Sequence, residues 1–235
     1  MIVSYLHNFI FIKTKKTGGS SIEMTLAPHC GPGDIITPLG NQAELARGNG
    51  EPLCRNFADD PGWEEELRTI IKGKRPQARR KAFEKEHKPK FFNHMPARQI
   101  KARVAPEFWD RAVKITSERH PYEKAVSLAY FTFKTGSSFD AHLDSIVRKR
   151  GYVGYPLYTI GEEVVVDEFI RLETLHDDMR RVAAKLGLPI PDEMARAKSR
   201  TRLDPRPARE ILSDVQKEIV YATCKKEFDL LGYER

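Results

Sequence analysis

The pattern of hydrophobic and polar positions predicts strands that alternate with helices. Residues 8–12 (NFIFI) form a continuous apolar run rich in β-branched and aromatic side chains, which is typical of a strand buried on both faces. After a glycine-containing loop, Ile22 and Leu26 lie four residues apart and share one face of a predicted helix. Pro28 ends this helix. The start of the chain therefore predicts a strand, a loop and a helix in that order.

The same order returns in the second half of the chain. Residues 111–116 (RAVKIT) predict a strand, and a helix follows with Pro121 in its first turn, where a missing N–H costs nothing. Three valines at 164–166 predict a further strand, and residues 177–186 predict an amphipathic helix that ends at Gly187. A final helix is predicted over residues 208–227. This alternation favours an α/β fold with a central, mostly parallel sheet.

Residues 31–89 depart from this pattern. They are rich in Gly, Pro and charged residues, with a helical stretch at 63–72 and a strongly basic run, GKRPQARRKAFEKEHKPK, at 73–90. We interpret them as an insertion or lid, with partly mobile ends, on a single domain of residues 1–235. For the basic run, we favour a solvated charged face over a dedicated ligand site.

Composition narrows the classes of function. Lys and Arg total 40 against 33 Asp and Glu, a formal charge of +7, which suits a basic surface or an anionic ligand. No zinc-finger spacing or basic–aromatic RNA signature is present, so nucleic acid is not predicted as a partner. Three scattered cysteines predict neither a disulfide framework nor a zinc site. Without a signal peptide or an apolar run long enough to span a bilayer, a cytoplasmic protein is expected.

A first candidate site lies in the loop KTGGSS, between the first predicted strand and helix. Lys16 supplies a positive charge, and Gly18 and Gly19 permit tight turns and close approach of a ligand to the backbone. The hydroxyls of Ser20 and Ser21 can donate to an anion or cap the helix. The lysine precedes the glycines, so the loop is not a Walker loop. A plain turn with a capping serine remains the alternative.

A second candidate site follows the strand at 111–116. Arg119 offers several donors in a fixed fork, and Ser127 lies eight residues later, about two helical turns on. The alternative is a surface ion pair of Arg119 with Glu118 or Glu123. Because the carboxyl ends of parallel strands meet at one edge of a sheet, the two sites together predict a ligand with two separated phosphates.

These segments resemble the PAPS-dependent sulfotransferases, in particular the carbohydrate-type members of that family. FIFIKTKKTGGSSIE is similar to the family's 5′-phosphosulfate loop, and ITSERHPYEKAVSLAY to its 3′-phosphate motif. Weaker support comes from VVDEFIRLETLHDDMRRVAAKLGL and the ending KKEFDLLGYE. The resemblance leaves out residues 31–89. Two departures stand out: Glu118 precedes the arginine where an apolar residue is usual, and Gly19 replaces a hydroxyl residue, so that Ser20 carries more of that role.

The resemblance implies a P-loop-like three-layer domain, with a central sheet between helices. It implies a sulfotransferase that moves a sulfuryl group from 3′-phosphoadenosine 5′-phosphosulfate (PAPS) to an acceptor hydroxyl on a glycan, with 3′,5′-phosphoadenosine (PAP) as product. Arg119 and Ser127 would hold the 3′-phosphate. The residues that would hold the 5′ side are Lys16, Thr17, Gly18, Gly19, Ser20 and Ser21.

The expected chemistry is an in-line displacement that needs positioning, charge stabilisation and a base, and no metal. Lys16 would meet the charge that grows on the leaving group. His94, in FFNHMPA, is the candidate base because histidine titrates near neutral pH, with Glu23 and His120 as alternatives.

Other residues and functions stay open at this point. Arg171 and Glu173 are expected to form a structural ion pair rather than to touch the acceptor, and Arg200 and Arg202 to close over the ligand. A P-loop kinase for a small metabolite and a non-catalytic nucleotide- or polyanion-binding module are the alternative functions. The acceptor itself cannot be read from the sequence.

Overall fold

A five-stranded sheet lies at the centre of the computed structural model, which describes residues 1–134, 136, 138–189 and 204–235. Its strand order is β3-β1-β2-β4-β7, and β5 and β6 form a separate two-stranded hairpin. The strands are β1 (Ile2–Ser4), β2 (Phe9–Ile12), β3 (Ile35–Ile36), β4 (Val113–Glu118), β5 (Thr159–Ile160), β6 (Glu163–Val164) and β7 (Glu168–Arg171).

The sheet is mixed, which corrects the expectation of a mostly parallel one. Strands β2, β4 and β7 pair in parallel, whereas β1 runs antiparallel to both β2 and β3. The difference arises in the turn between β1 and β2, where Asn8 adopts a left-handed φ of 51°. A turn this short can join only antiparallel strands. The predicted strand at residues 8–12 is confirmed in β2, whose four side chains are fully buried.

Eleven α-helices flank the sheet in the part of the chain that the structure describes. They are α1 (Gly19–Leu26), α2 (Asn41–Arg47), α3 (Pro61–Lys72), α4 (Pro76–Glu86), α5 (Ala97–Lys101), α6 (Pro106–Arg111), α7 (Pro121–Thr132), α8 (Phe139–Lys149), α9 (Leu175–Leu186), α10 (Ala208–Ile211) and α11 (Asp214–Leu231). The helices predicted after residues 8–12, after residues 111–116 and before Gly187 are confirmed as α1, α7 and α9. The predicted final helix is two helices, because Ser213 caps α11 in a capping box with Gln216.

Side chains that alternate along β2 build a separate core on each face of the sheet. Phe9 and Phe11 pack with residues of α1 and α9, including Ile22. Ile10 and Ile12 pack on the other face with residues from the segment between β3 and β4. The arrangement is a helix–sheet–helix α/β fold.

The segment at 31–89 contributes to this core. Strand β3 extends the main sheet, and Leu67 and Ile71 of α3 are buried together with Phe83 of α4. The spacing of Leu67, Ile70 and Ile71 gives α3 one apolar face beneath its charges.

The strand predicted at residues 164–166 is displaced along the sequence. Val164 lies in the β5–β6 hairpin, and the three valines pack as partly buried residues against the core. The strand that joins β4 is β7, which follows Asp167. The Asp167 backbone N–H donates to Lys114 O at 2.7 Å, and its carboxylate accepts from Lys114 N at 2.7 Å. These two bonds start the parallel pairing at Asp167 rather than in the valine run.

Candidate functional site

The loop after β2 opens directly onto the N-terminus of α1. Lys16 and Gly18 adopt left-handed backbone conformations, with φ of 63° and 78°. Gly18 is the N-cap of α1 and gives no side-chain cap, so the expectation that Ser20 or Ser21 caps the helix is wrong. Both serines lie in the first helical turn, where Ser21 N donates to Gly18 O at 2.8 Å. With no acidic residue in that turn, the positive end of the helix dipole is uncompensated locally.

Hydroxyl groups join this loop to the end of β4. Thr17 Oγ1 lies 2.8 Å from Ser117 Oγ and 3.0 Å from Thr14 Oγ1. Thr14 Oγ1 in turn donates to the Ser117 carbonyl oxygen. Thr17 is only 1% exposed, so its hydroxyl faces the sheet. The two sequence-predicted sites therefore lie at neighbouring parallel strands, and the loop of the first is hydrogen-bonded to β4 two residues before Arg119.

Lys13 supports the loop from beneath, a role that sequence reasoning missed. Its ammonium lies 3.2 Å from Ser20 Oγ and pairs with the buried carboxylate of Glu23, which also accepts from the Met1 amino group. Burial alone would raise the pKa of Glu23, but Lys13, the amino group and Arg47 outweigh it and lower that pKa to about 2. Glu23 is thus a structural carboxylate. The sequence gives one sign of this pairing: Glu23 follows Ile22 on the apolar side of α1, where a buried carboxylate needs a cation nearby.

Lys16 connects the loop to α7. Its ammonium lies 4.0 Å from the centroid of the Phe131 ring, a cation–π contact. Phe131 stands one helical turn beyond Ser127, which is half-buried on the same helix. The charge of the first site and the hydroxyl of the second therefore lie along one helix.

Arg119 lies just beyond β4 and forms the ion pair that the sequence left open. Its guanidinium lies 2.9 Å from the Glu123 carboxylate, and its backbone N–H donates to Glu118 Oε2 at 3.1 Å. Glu123 also accepts from Ala208 N at 2.7 Å, which connects Arg119 to the C-terminal part of the chain. The guanidinium is only partly exposed, at 21%.

A fully buried charge cluster lies behind Arg119. The Lys124 ammonium lies 2.7 Å from Glu118 Oε2 and 3.1 Å from Glu227 Oε1. Glu227 Oε1 also accepts from the backbone of Gly154 at 2.7 Å. Burial raises the pKa of Glu118 although Lys124 opposes the shift. The cluster fixes the end of β4, and with it the backbone that carries Arg119.

The end of β7 completes the same edge of the sheet. The Leu172 side chain packs against Gly18 so closely that an added Cβ would lie 2.7 Å from it. Glu173 accepts from His120 N at 2.8 Å, whereas Arg171 lies 3.6 Å from Asp178. The predicted Arg171–Glu173 pair therefore does not form, and Glu173 instead holds the loop after Arg119.

His94 contacts the start of the glycine loop after β2. Its Nδ1 lies 3.1 Å from Lys13 O, and a carbonyl oxygen can only accept, so Nδ1 carries the proton and Nε2 has the lone pair. Burial, reinforced by the Lys13 charge, lowers the pKa of His94 to about 4. The ring is therefore neutral at pH 7, and its pKa lies below the near-neutral value on which its choice as candidate base rested.

His120 has both of its ring nitrogens engaged. Nε2 donates to Glu234 O at 2.9 Å, and Nδ1 accepts from Tyr122 N at 3.3 Å as the cap of α7. Its pKa is lowered, chiefly by burial. Both ring nitrogens of His120 and both carboxylate oxygens of Glu23 thus make structural contacts. Among the three candidate bases, His94 uses only Nδ1 in such a contact.

Arg200 and Arg202, which were predicted to close over the ligand, lie outside the described residues. Across the described ranges, no group of three or more His, Cys, Asp or Glu side chains could hold a metal ion. In the same ranges, no helix has both the length and the apolar character needed to cross a membrane.

The chain is similar to a distant relative among the curated proteins. An uncharacterized protein of Archaeoglobus fulgidus is 29% identical over 101 residues, which cover 40% of this chain and 84% of the relative. No family model matches the chain. No solved structure matches it either.

Proposed function

We propose that this protein is a PAPS-dependent sulfotransferase that transfers a sulfuryl group to an acceptor hydroxyl on a glycan. The observation that carries the proposal is the hydrogen bond between Thr17 and Ser117. It joins a glycine loop at a helix N-terminus to the strand end that bears Arg119. A ligand with phosphates at both ends of an adenosine needs two such anion sites side by side.

The loop has the features of a site for the 5′ end of this donor. The N-terminus of α1 has no capping side chain and no acidic residue in its first turn, so its N–H groups favour an anion. Gly18 and Gly19 carry no side chains, and Leu172 and Lys13 pack into the space that a Cβ would need. Lys16 adds a full positive charge, held at the edge of the loop by Phe131. The P-loop-like character of the domain is part of this proposal.

The 3′-phosphate would bind at Arg119 and Ser127. Arg119 matches a phosphate through its fork of donors, and its pair with Glu123 holds the guanidinium in place before the ligand arrives. Such pre-ordering reduces the entropy lost on binding. Ser127 would add a hydroxyl two turns along α7.

In this proposal the reaction depends on three groups. When bound, PAPS supplies a sulfuryl group attached to a phosphate that leaves readily. His94 Nε2 accepts the proton of the acceptor hydroxyl, because Nδ1–H is held by Lys13 O. The Lys16 ammonium stabilises the charge that grows on the leaving phosphate. Lys13 links His94 to the loop, since its backbone carbonyl accepts from His94 and its ammonium lies 3.2 Å from Ser20 Oγ.

Ligand binding tests the proposal most directly. Thermal shift and calorimetry with PAP and ADP should show stabilisation by PAP alone, because ADP lacks the 3′-phosphate. Arg119→Ala should weaken PAP binding at least about tenfold, the cost of one charged hydrogen-bond partner. Arg148→Ala is the matched control, since Arg148 pairs with Asp144 four residues before it on an exposed helix face.

The remaining outcomes separate the alternatives. Stabilisation by ADP but not PAP would indicate a kinase and contradict the proposal. Stabilisation by PAP without transfer of labelled sulfate to any member of a glycan panel would indicate a non-catalytic binding module. Binding of neither nucleotide would remove the donor site altogether.

A further inference from the structure

The net charge of the chain resides in one short segment. Residues 72–90 contain nine Lys and Arg and two Glu, a net charge of +7, which equals the formal charge of the whole chain. The other residues therefore carry 31 basic and 31 acidic side chains, from 40 minus nine and 33 minus two. A charge this concentrated creates a local positive field, not a generally basic surface.

The structure places these charges on one helix and its flanks. Lys74, Arg79, Lys81 and Lys85 are exposed on or beside α4, while Phe83 of the same helix is buried. The one basic side chain directed inward is Arg80, which donates to Leu39 O and lies 3.3 Å from Asn41 Oδ1. Packing therefore fixes α4 against the chain and leaves exposed cations distributed around the rest of the helix and its flanks.

A shallow apolar recess lies beside α4 and is lined by side chains that include Trp63, Phe83 and His87. The ring centroids of Trp63 and Phe83 each lie 4.4 Å from that of His87, so the three rings form one cluster. Trp63 and His87 are half-buried in this cluster, whereas Phe83 is buried. Rings of this kind pack against the apolar faces of sugars, and nearby cations bind their acidic substituents.

The recess is connected by a hydrogen bond to the segment that bears the candidate base. Pro38 lines it, and the Pro38 carbonyl accepts from the Asn93 side chain, next to His94. Arg80 bonds to Leu39, the neighbour of Pro38. A chain of direct contacts thus runs from the basic helix through Pro38 to the candidate base.

We infer that residues 72–90 and the Trp63–Phe83–His87 surface form the docking site for an acidic polysaccharide, the acceptor of the reaction. The acceptor role rests on the proposed function. The partner must be anionic because the segment carries all of the net charge, and polymeric because the cations spread over a helix rather than converge on one point. The rings favour a sugar polymer over a membrane, since the exposed side of α4 has no large apolar side chain to insert.

Direct binding to a polyuronate tests this inference. Polygalacturonate should bind at low salt, its affinity should fall steeply as salt rises, and neutral dextran should not bind. The triple charge reversal K74E/R79E/K81E should weaken polygalacturonate binding by at least about tenfold. The matched control K101E/K149E/K225E makes the same change of net charge at exposed positions elsewhere and should retain most of the affinity.

A further variant and two further ligands distinguish an acidic polysaccharide from DNA and from a membrane. Trp63→Leu should weaken polygalacturonate binding without changing its salt dependence, because it removes a ring and no charge. Thermal melts check that each variant folds. Equal losses in the two triple variants would overturn the inference, as would tighter binding to a DNA duplex or to phosphatidylglycerol vesicles than to polygalacturonate.

The nucleotide is absent from these binding assays, so failure here differs from failure of the proposed function. PAP binding that survives K74E/R79E/K81E, with polygalacturonate binding lost, supports both. A different result would separate the two ideas. If that variant loses polygalacturonate binding but the parent protein does not bind PAP, the docking surface stands and the sulfotransferase proposal is contradicted.

Discussion

The Thr17 hydroxyl lies 2.8 Å from the Ser117 hydroxyl, so the glycine loop after β2 and the strand that leads to Arg119 are held together by side chains. Both side chains are fully buried, and Thr14 extends the contact to the Ser117 backbone. Buried hydrogen bonds therefore set the position of the loop relative to the end of β4.

A double-mutant cycle measures this link. Thr17→Val and Ser117→Ala should each lower the free energy of unfolding by about 1–2 kcal/mol, because each leaves a buried hydroxyl without its partner. The double variant should cost less than the sum. Urea denaturation gives the coupling energy. Additive losses would mean that the two hydroxyls do not interact, and Thr132→Val, on an exposed helix surface, is the control.

The pKa of His94 predicts a pH dependence of stability. The folded-state pKa is about 4 and lies below the usual histidine value of 6.5, so the unfolded chain binds the proton more readily. This contribution to stability is fully present above pH 6.5 and is lost as pH falls toward 4, by up to about 3 kcal/mol. The folded pKa of Glu23 is about 2, so its contribution changes only below the usual glutamate value of 4.5.

Melting temperatures between pH 4.5 and 7 measure the His94 contribution. The His94→Gln protein should show a smaller change over that range than the parent protein. Parallel curves for the two proteins would show that His94 is not responsible. In the sulfate-transfer assay, the same variant should lose turnover and retain PAP binding.

The buried ion pairs of Lys124 predict a large loss of stability. Lys124→Met leaves two buried carboxylates, Glu118 and Glu227, without a cation and should cost about 3–5 kcal/mol. Lys225→Met breaks an exposed, solvent-screened pair with Asp229 and should change the stability much less. Urea midpoints compare the two. Equal effects would mean that Lys124 is not the counter-ion on which the cluster depends.

The contact of Gly18 with Leu172 predicts a steric effect with a specific rescue. Gly18→Ala places a methyl group 2.7 Å from Leu172 at a φ of 78°, and should cost about 1–3 kcal/mol of stability. Leu172→Ala should relieve the clash, so the double variant should be more stable than the sum of the single losses predicts. The backbone strain would remain. Absence of any rescue in denaturation experiments would show that strain at Gly18 alone sets the cost.

The spacing of apolar residues predicted those strands and helices whose position depends on nearby sequence alone. Phe9 and Phe11 alternate with Ile10 and Ile12, and this pattern alone indicates a strand with two buried faces. Gly187 ends α9 in a left-handed conformation, as its position after an amphipathic run predicts. The basic residues of the two candidate sites were likewise visible as motifs beside these elements.

Pairings across the chain were not predictable in this way. The apolar run at 164–166 is stronger than Glu168–Arg171, but backbone and side-chain bonds between Asp167 and Lys114 set which segment pairs with β4. Likewise, Lys13 resembles one more loop cation in the sequence, and only its distance from Ser20 and Glu23 reveals a support for the loop. Such contacts depend on tertiary packing, which overrides local preference.

The close approach of Leu172 to Gly18 has a consequence for how the protein folds. The loop acquires its native surroundings only after β7 has joined β4, and β7 comes from the second half of the chain. Parallel pairing between such distant segments closes long loops and is slow. A nascent chain that ends before β7 would therefore display the glycine motif without the structure around it, and ligand affinity should develop late in refolding, together with amide protection of β2 and β4.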